Sequence, residues 1–190
     1  MSAKRLLDFV ENFSRLLEAR PSEDRILVEG RQLVATLVAV DDWLPDQFAQ
    51  PHPQHYQQYL LYADPLDRLS IVSFVWGPGQ KTPIHDHLTW GLVGGLRGSE
   101  RETTYARQAD GSYQATGNGV LQPGQTTAVS PTIGDVHEVA NALTDQVSIS
   151  IHVYGRNIGR VKRHVFDPTT GAAKDFVSGY ASAVVPNLWS

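Results

Sequence analysis

Up to about residue 44 the apolar residues of this chain recur at helical spacing, and from about Tyr56 they switch to short β-rich runs broken by turn residues. That switch constrains the fold more than any other feature, because a helix spaces its apolar residues three and four apart and a half-buried strand alternates them. The runs cover 59–62, 69–76, 90–96, 102–106, 120–121, 126–129 and 147–154. Gly77-Pro78-Gly79, Gly98, Asp110-Gly111, Pro123-Gly124 and Gly134-Asp135 punctuate them. Many short strands with closely spaced turns predict a mainly β fold, a sandwich or a small barrel. Before them, Leu6, Leu7, Phe9, Val10, Phe13, Leu16 and Leu17 predict an amphipathic helix that stops near Pro21. Ser22 is placed to cap a second helix running through Ile26, Leu27, Leu33, Leu37 and Val38. Both helices are expected to cover one face of the β body, with 45–53 as a connecting loop. The segment 167–190, ending in Val184, Val185, Leu188 and Trp189, reads as a packed tail with no legible course.

With 190 residues, 41% of them hydrophobic, the chain has the size and the apolar content of one domain over 1–190. Its parts are a helical portion at 1–44, a β core at 56–166 and the tail. The net charge of −4 argues against a surface that neutralises nucleic-acid phosphates. No stretch approaches the roughly 18 consecutive apolar residues of a membrane span, and the first twenty residues lack a signal-peptide pattern, so a cytoplasmic protein is expected. Oligomeric state leaves no readable trace. The absence of cysteine excludes disulfides, thiolate metal sites and a cysteine nucleophile. Chemistry is left to histidines, carboxylates, hydroxyls or a bound metal.

Two histidines, His85 and His87, lie two apart in Pro83-Ile84-His85-Asp86-His87. On an extended strand they face the same side and can share one metal ion, although an exposed histidine pair has the same spacing. A third, His137, follows fifty residues later between Val136 and Val139, in a segment that reads as a strand entering the core. In Ser148-Ile149-Ser150-Ile151-His152-Val153-Tyr154 the polar Ser150, His152 and Tyr154 alternate with apolar residues. The three polar groups therefore share a strand face, either as a half-exposed strand or as a hydrogen-bonded row that orients His152 and aims Tyr154. No acid partner or nucleophile turn accompanies them, which weighs against a serine-protease arrangement.

These residues resemble the two motifs of the cupin superfamily. The first supplies Gly79, His85, His87 and Gly98, with Gly91 where the motif has glutamate; the second supplies Gly134, His137 and Asn141. The resemblance implies a small cupin (jelly-roll) β-barrel with the N-terminal helices packed on it. Three neutral imidazoles leave the charge of a divalent metal uncompensated and favour an anionic ligand. Glu100 and Glu102 lack the spacing to replace the missing glutamate.

More narrowly, 56–164 resembles the thiol dioxygenases of the cysteine dioxygenase family, and most of all their bacterial 3-mercaptopropionate dioxygenase branch. The resemblance rests on Tyr56-x-Gln58, Val75-Trp76-Gly77, the His85 and His87 pair, Gly91, Gly98, Gly134-Asp135-x-His137 and Ser150-x-His152-x-Tyr154. It implies one iron(II) per chain on His85, His87 and His137. Ser150, His152 and Tyr154 would then form a relay beside it, and a small thiol and O2 would be the reactants. Cysteine dioxygenases of mammalian type have arginine where this chain has Gln58, and cysteine, crosslinked to the active-site tyrosine, where it has Gly91. Both differences point to oxidation of 3-mercaptopropionate to its sulfinate, with cysteine as a further substrate. Arg163 is then the candidate for the substrate carboxylate, unless it is a surface cation like Arg156, Arg160 and Lys162. The alternatives are a cysteine dioxygenase, a non-catalytic metal-binding cupin, or a zinc or manganese isomerase. The missing glutamate and the Ser-His-Tyr row weigh against the isomerase.

Overall fold

The structure, a computed structural model, describes residues 4–189. Helix α1 (Lys4–Glu18) buries Leu6, Phe9, Val10, Phe13 and Leu16, the stripe that its periodicity predicts. The chain reverses at Arg20, whose φ of 46° ends the helix just before Pro21. Ser22 then accepts a hydrogen bond from the Arg25 N–H and opens a helical run over 23–38. That run is α2 (Glu23–Arg25), one wider π turn (Ile26–Gly30) and α3 (Arg31–Val38). The Trp43 indole closes its far end by donating to the Leu37 carbonyl.

The β region forms two sheets, in which every ladder between strands is antiparallel. In the first, β1 (Gln57–Ala63), β2 (Ser70–Trp76), β9 (Ser148–Tyr154), β4 (Gly91–Arg97) and β7 (Thr126–Val129) lie side by side. In the second the order is β11 (Ala173–Phe176), β10 (Arg163–Phe166), β3 (Ile84–His85), β8 (His137–Asn141), β5 (Glu100–Arg107) and β6 (Tyr113–Leu121). This is the mainly β cupin barrel, with the helices against one sheet. Strand β6 is longer than the 120–121 run suggests, because most of it is exposed and polar and has no apolar rhythm. The tail is not merely packed: β11 adds an edge strand to the second sheet through β10.

The first sheet is buried on both faces. Ile71, Val75, Leu92, Ile149, Ile151 and Val153 point outward into a core shared with Phe9, Phe13, Val34 and Leu37 of the helices. Their alternates Val72, Phe74, Trp76 and Tyr154 point inward and meet Val139 of the second sheet. Strand β9 is therefore sealed throughout, and the half-exposed reading of its alternation does not hold. Its polar face is an internal one.

Candidate metal centre and cavity

His85 reaches the barrel interior from β3 and His137 from β8, where the two stand opposite each other in register. His87 does not lie on the strand, as its spacing predicts, because β3 ends at His85. The following backbone instead turns toward Asp135. The His87 and Leu88 N–H groups both donate to its carboxylate, and Leu88 takes a φ of 57° to do so. The three imidazole rings nonetheless meet, with centroids 4.8 to 4.9 Å apart and ligand atoms within 4.8 Å of one another.

Each ring has one nitrogen already engaged. Nδ1 of His85 faces the Pro83 carbonyl at 3.0 Å, Nδ1 of His87 faces Asp135 at 2.9 Å, and Nδ1 of His137 faces Glu102 at 2.6 Å. Those acceptors fix the tautomer with the proton on Nδ1 and leave Nε2 bare, which is the state a metal requires. Burial and the neighbouring imidazoles hold His85 and His87 well below the usual histidine range, so both are neutral at physiological pH. Three imidazoles with open positions suit zinc, copper, iron or nickel. The two carboxylates sit one bond further out and offset part of a divalent charge.

Asp86, between the paired histidines, points away from them. Its carboxylate receives the His164 backbone N–H at 2.8 Å and faces His164 Nδ1 at 2.7 Å, tying the histidine loop to β10. That tie sets the position of the preceding residue, Arg163. Arg156, Arg160 and Lys162 remain exposed, but Arg163 is turned inward and is 4% exposed. It donates to Ser178 Oγ at 2.9 Å and stacks over the Phe176 ring at 4.6 Å, while its Nε is buried without a partner.

Across the barrel, β9 presents the polar row. Ser150 Oγ lies 2.8 Å from His152 Nε2, and His152 Nδ1 lies 2.8 Å from the Tyr154 hydroxyl. The His152 ring stacks on Phe74 at 4.0 Å, and Tyr154 stacks on His87 at 5.4 Å. Burial lowers the pKa of His152 well below its ordinary value and raises that of Tyr154, so the imidazole stays neutral and the phenol keeps its proton. Gly91 leaves the space that this phenol ring fills: a Cβ there would come within 2.9 Å of Tyr154 Cε1.

Tyr56, Gln58, His85, Tyr154, Arg163 and Phe176 line one cavity of about 160 Å³. Pockets for drug-sized ligands usually run from roughly 300 to 1,000 Å³, so only a small molecule fits. Sequence reasoning singled out four of these six. Tyr56 appeared only within a motif, and Phe176 lay in the unreadable tail. Glu102 and Asp135, which hold two of the histidines, carry no local signal of their own. Glu102 contributes as an acceptor for His137 rather than as a replacement for the missing motif glutamate.

The chain is 25% identical to cysteine dioxygenase type 1 of Danio rerio over 134 residues, which are 68% of this chain and 64% of that relative's length. Among solved structures it resembles a double-stranded β-helix protein of Klebsiella pneumoniae, at 19% identity over 58% of this chain and 80% of that one, with a TM-score of 0.45. It also resembles an oxalate oxidase, at 15% identity over 57% and 55% of the two chains, with the same TM-score. The sequence model of the family Cysteine dioxygenase type I matches residues 29–166, which take in the whole histidine set, the β9 row and Arg163, and the chain belongs to that family.

Proposed function

We propose that this protein is a mononuclear non-haem iron thiol dioxygenase whose substrate is a short thiol carboxylate, 3-mercaptopropionate. The observation that carries the substrate is the charge inside the cavity: its lining residues include the buried cation Arg163 and no carboxylate. A carboxylate ligand would pair with that guanidinium. The α-ammonium of cysteine would be buried near a cation without an acid to receive it, and an unpaired buried charge is costly. 3-Mercaptopropionate carries the same thiol and carboxylate without the amino group.

Iron(II) held by His85, His87 and His137 would supply the activation of O2 and the stabilisation of the substrate as a thiolate. The overall change is RSH + O2 → RSO2⁻ + H⁺, two steps up the thiol oxidation ladder. The chain's own residues position and shield this reaction. Arg163 binds the carboxylate, with the Gln58 amide beside it; Gln58 Oε1 is buried without a partner. Phe74, Val165 and Phe176 form the apolar wall that excludes water. Tyr154, kept protonated by burial and oriented by His152 and Ser150, presents its phenol to the space next to His87.

The test is oxygen uptake by protein prepared anaerobically and loaded with iron(II), with sulfinate measured as product. The expected result is stoichiometric 3-sulfinopropionate, and kcat/KM for 3-mercaptopropionate above that for L-cysteine by about tenfold or more, the ratio given by roughly 1.4 kcal/mol of unpaired polar burial. A preference for L-cysteine would overturn the substrate, and no uptake with any small thiol would overturn the activity.

A further inference from the structure

The mechanism leaves a buried ionisable side chain of the barrel unused. Glu100, at the start of β5, is 4% exposed, and neither of its carboxyl oxygens closes a hydrogen bond. It is not a member of the group that could hold a metal ion, which consists of His85, His87 and His137. The polar groups acting on it are the Ser150 hydroxyl and the Trp76 indole N–H, and the Trp76 N–H also points at Ser150 Oγ, at 3.4 Å. Glu100 therefore faces the inner end of the row that runs through Ser150 and His152 to Tyr154.

A row of this kind has a direction. Ser150, neutral His152 and Tyr154 each have one mobile proton, so the donor at one end decides the donor at the other. When Glu100 is protonated it donates to Ser150. Ser150 then donates to His152 Nε2, and His152 Nδ1–H donates to the Tyr154 oxygen. The Tyr154 proton is left free to donate into the cavity. When Glu100 is ionised it accepts from Ser150. The serine oxygen accepts from His152 Nε2–H, and the bare Nδ1 accepts a hydrogen bond from the Tyr154 hydroxyl, leaving the phenol oxygen as an acceptor toward the cavity.

We propose that Glu100 is a positioning residue whose protonation state sets the direction of the Ser150, His152 and Tyr154 hydrogen-bond chain, and thereby whether Tyr154 offers a donor or an acceptor to the cavity. The switch releases one proton: on ionisation the Glu100 proton passes to Ser150, that of Ser150 to His152 Nε2 and that of His152 Nδ1 to the Tyr154 oxygen, whose own proton leaves to water through the cavity. Burial holds the Glu100 carboxyl up to about 8, with Glu102 on its own strand raising it further and Ser150 and Trp76 lowering it. From the packed elements, β9 contributes His152 and Tyr154. Strand β8 contributes Asn141 opposite Glu100, and His137 at its other end, already held by Glu102. Strand β6 contributes only Leu121 opposite it. No cation faces it from these positions.

The effect on turnover rests on the thiol dioxygenase reading; the effect on His152 does not. Full-length protein loaded with diamagnetic zinc(II) and labelled with ¹⁵N-histidine would report the His152 tautomer by nitrogen NMR as pH is raised. In the wild type the proton is expected on Nδ1 at low pH and on Nε2 at high pH, with a midpoint near 8. In Glu100→Gln, which keeps the shape and cannot ionise, that step is lost. The same variant, loaded with iron(II), should lose the alkaline decline in kcat while its KM for 3-mercaptopropionate stays unchanged. A single His152 tautomer across the range in the wild type overturns the proposal. So does the same step surviving in Glu100→Gln. Absence of oxygen uptake by the wild type would sink the dioxygenase reading and leave the tautomer measurement to decide Glu100.

Discussion

A guanidinium removed from water needs acceptors, and Arg163 has one serine hydroxyl and one aromatic face. In the function proposed above, the missing acceptor is the substrate's carboxylate. Arg163→Met should therefore raise KM for 3-mercaptopropionate by about tenfold to a hundredfold, the range expected for a lost charged hydrogen bond of roughly 1.5–3 kcal/mol. Iron content should be unchanged, because Arg163 holds none of the histidines; a parallel loss of iron would mean that the arginine maintains the centre instead. Tyr154 acts on the other side of the cavity, and its variants separate from those of Arg163. Tyr154→Phe should lower kcat by about tenfold or more with KM nearly constant, since one donor is lost and the ring is kept. Gly91→Ala tests the same group by geometry: its Cβ meets the Tyr154 ring at 2.9 Å and Val129 Cγ2 at 3.1 Å, so the phenol must move. It should reproduce the loss in kcat while the His152 to Tyr154 hydrogen bond, followed by nitrogen NMR, weakens.

Among the elements, the seam between α3 and β4 shows how tightly the helices hold the site's sheet. A Cβ on Gly94 would come within 2.7 Å of Val34 and 2.8 Å of Val38, and one on Gly30 within 2.7 Å of Leu92. Gly94→Ala overpacks this seam and should cost about 1–3 kcal/mol in urea unfolding, with iron binding retained in the folded protein. An unchanged midpoint would show that the helix can slide away from β4 at no cost. The amphipathic stripe of α1 and the β9 alternation were legible because each is a local pattern of period 3.6 or 2, and the His85 and His87 pair was legible by its close spacing, although His87 lies beyond the strand that a period of 2 predicts. What β9 faces was not legible. Its polar side is sealed by the second sheet, and no residue of β9 reports that. His87 leaves the strand because Asp135, 48 residues away in sequence, takes its backbone N–H, and His137 is held by Glu102 from 35 residues away. Such contacts are products of topology. The β10–β11 pairing was missed for the same reason: β11 is short and mostly exposed, with little apolar rhythm of its own.

At the scale of the molecule, the barrel separates an apolar outer core from an interior holding ionisable groups, and the interior makes stability depend on pH. Two opposing slopes result. His85, His87 and His152 have folded pKa values below the ordinary 6.5, so the unfolded chain binds more protons and stability is lost as pH falls below that value. Glu100 works the other way. Its folded pKa is raised from 4.5 to about 8, so the native state holds a proton that the unfolded chain has released. The contribution is fully present below about 4.5, declines as pH rises through the interval and is gone above about 8. Each pH unit of that interval corresponds to about 1.4 kcal/mol, so the whole is of the order of a few kcal/mol. Glu100→Gln has no carboxyl to ionise, whereas the histidine slope is common to both proteins and cancels in their difference. Urea unfolding of the two, in the same metal state, should give similar stabilities near pH 5 and a variant more stable by a few kcal/mol near pH 9. The sign is diagnostic: had Glu100 been stabilised as a carboxylate by a hidden cation, the variant would be the weaker protein at high pH. A stability difference that does not change between the two pH values would show that the carboxyl reaches water.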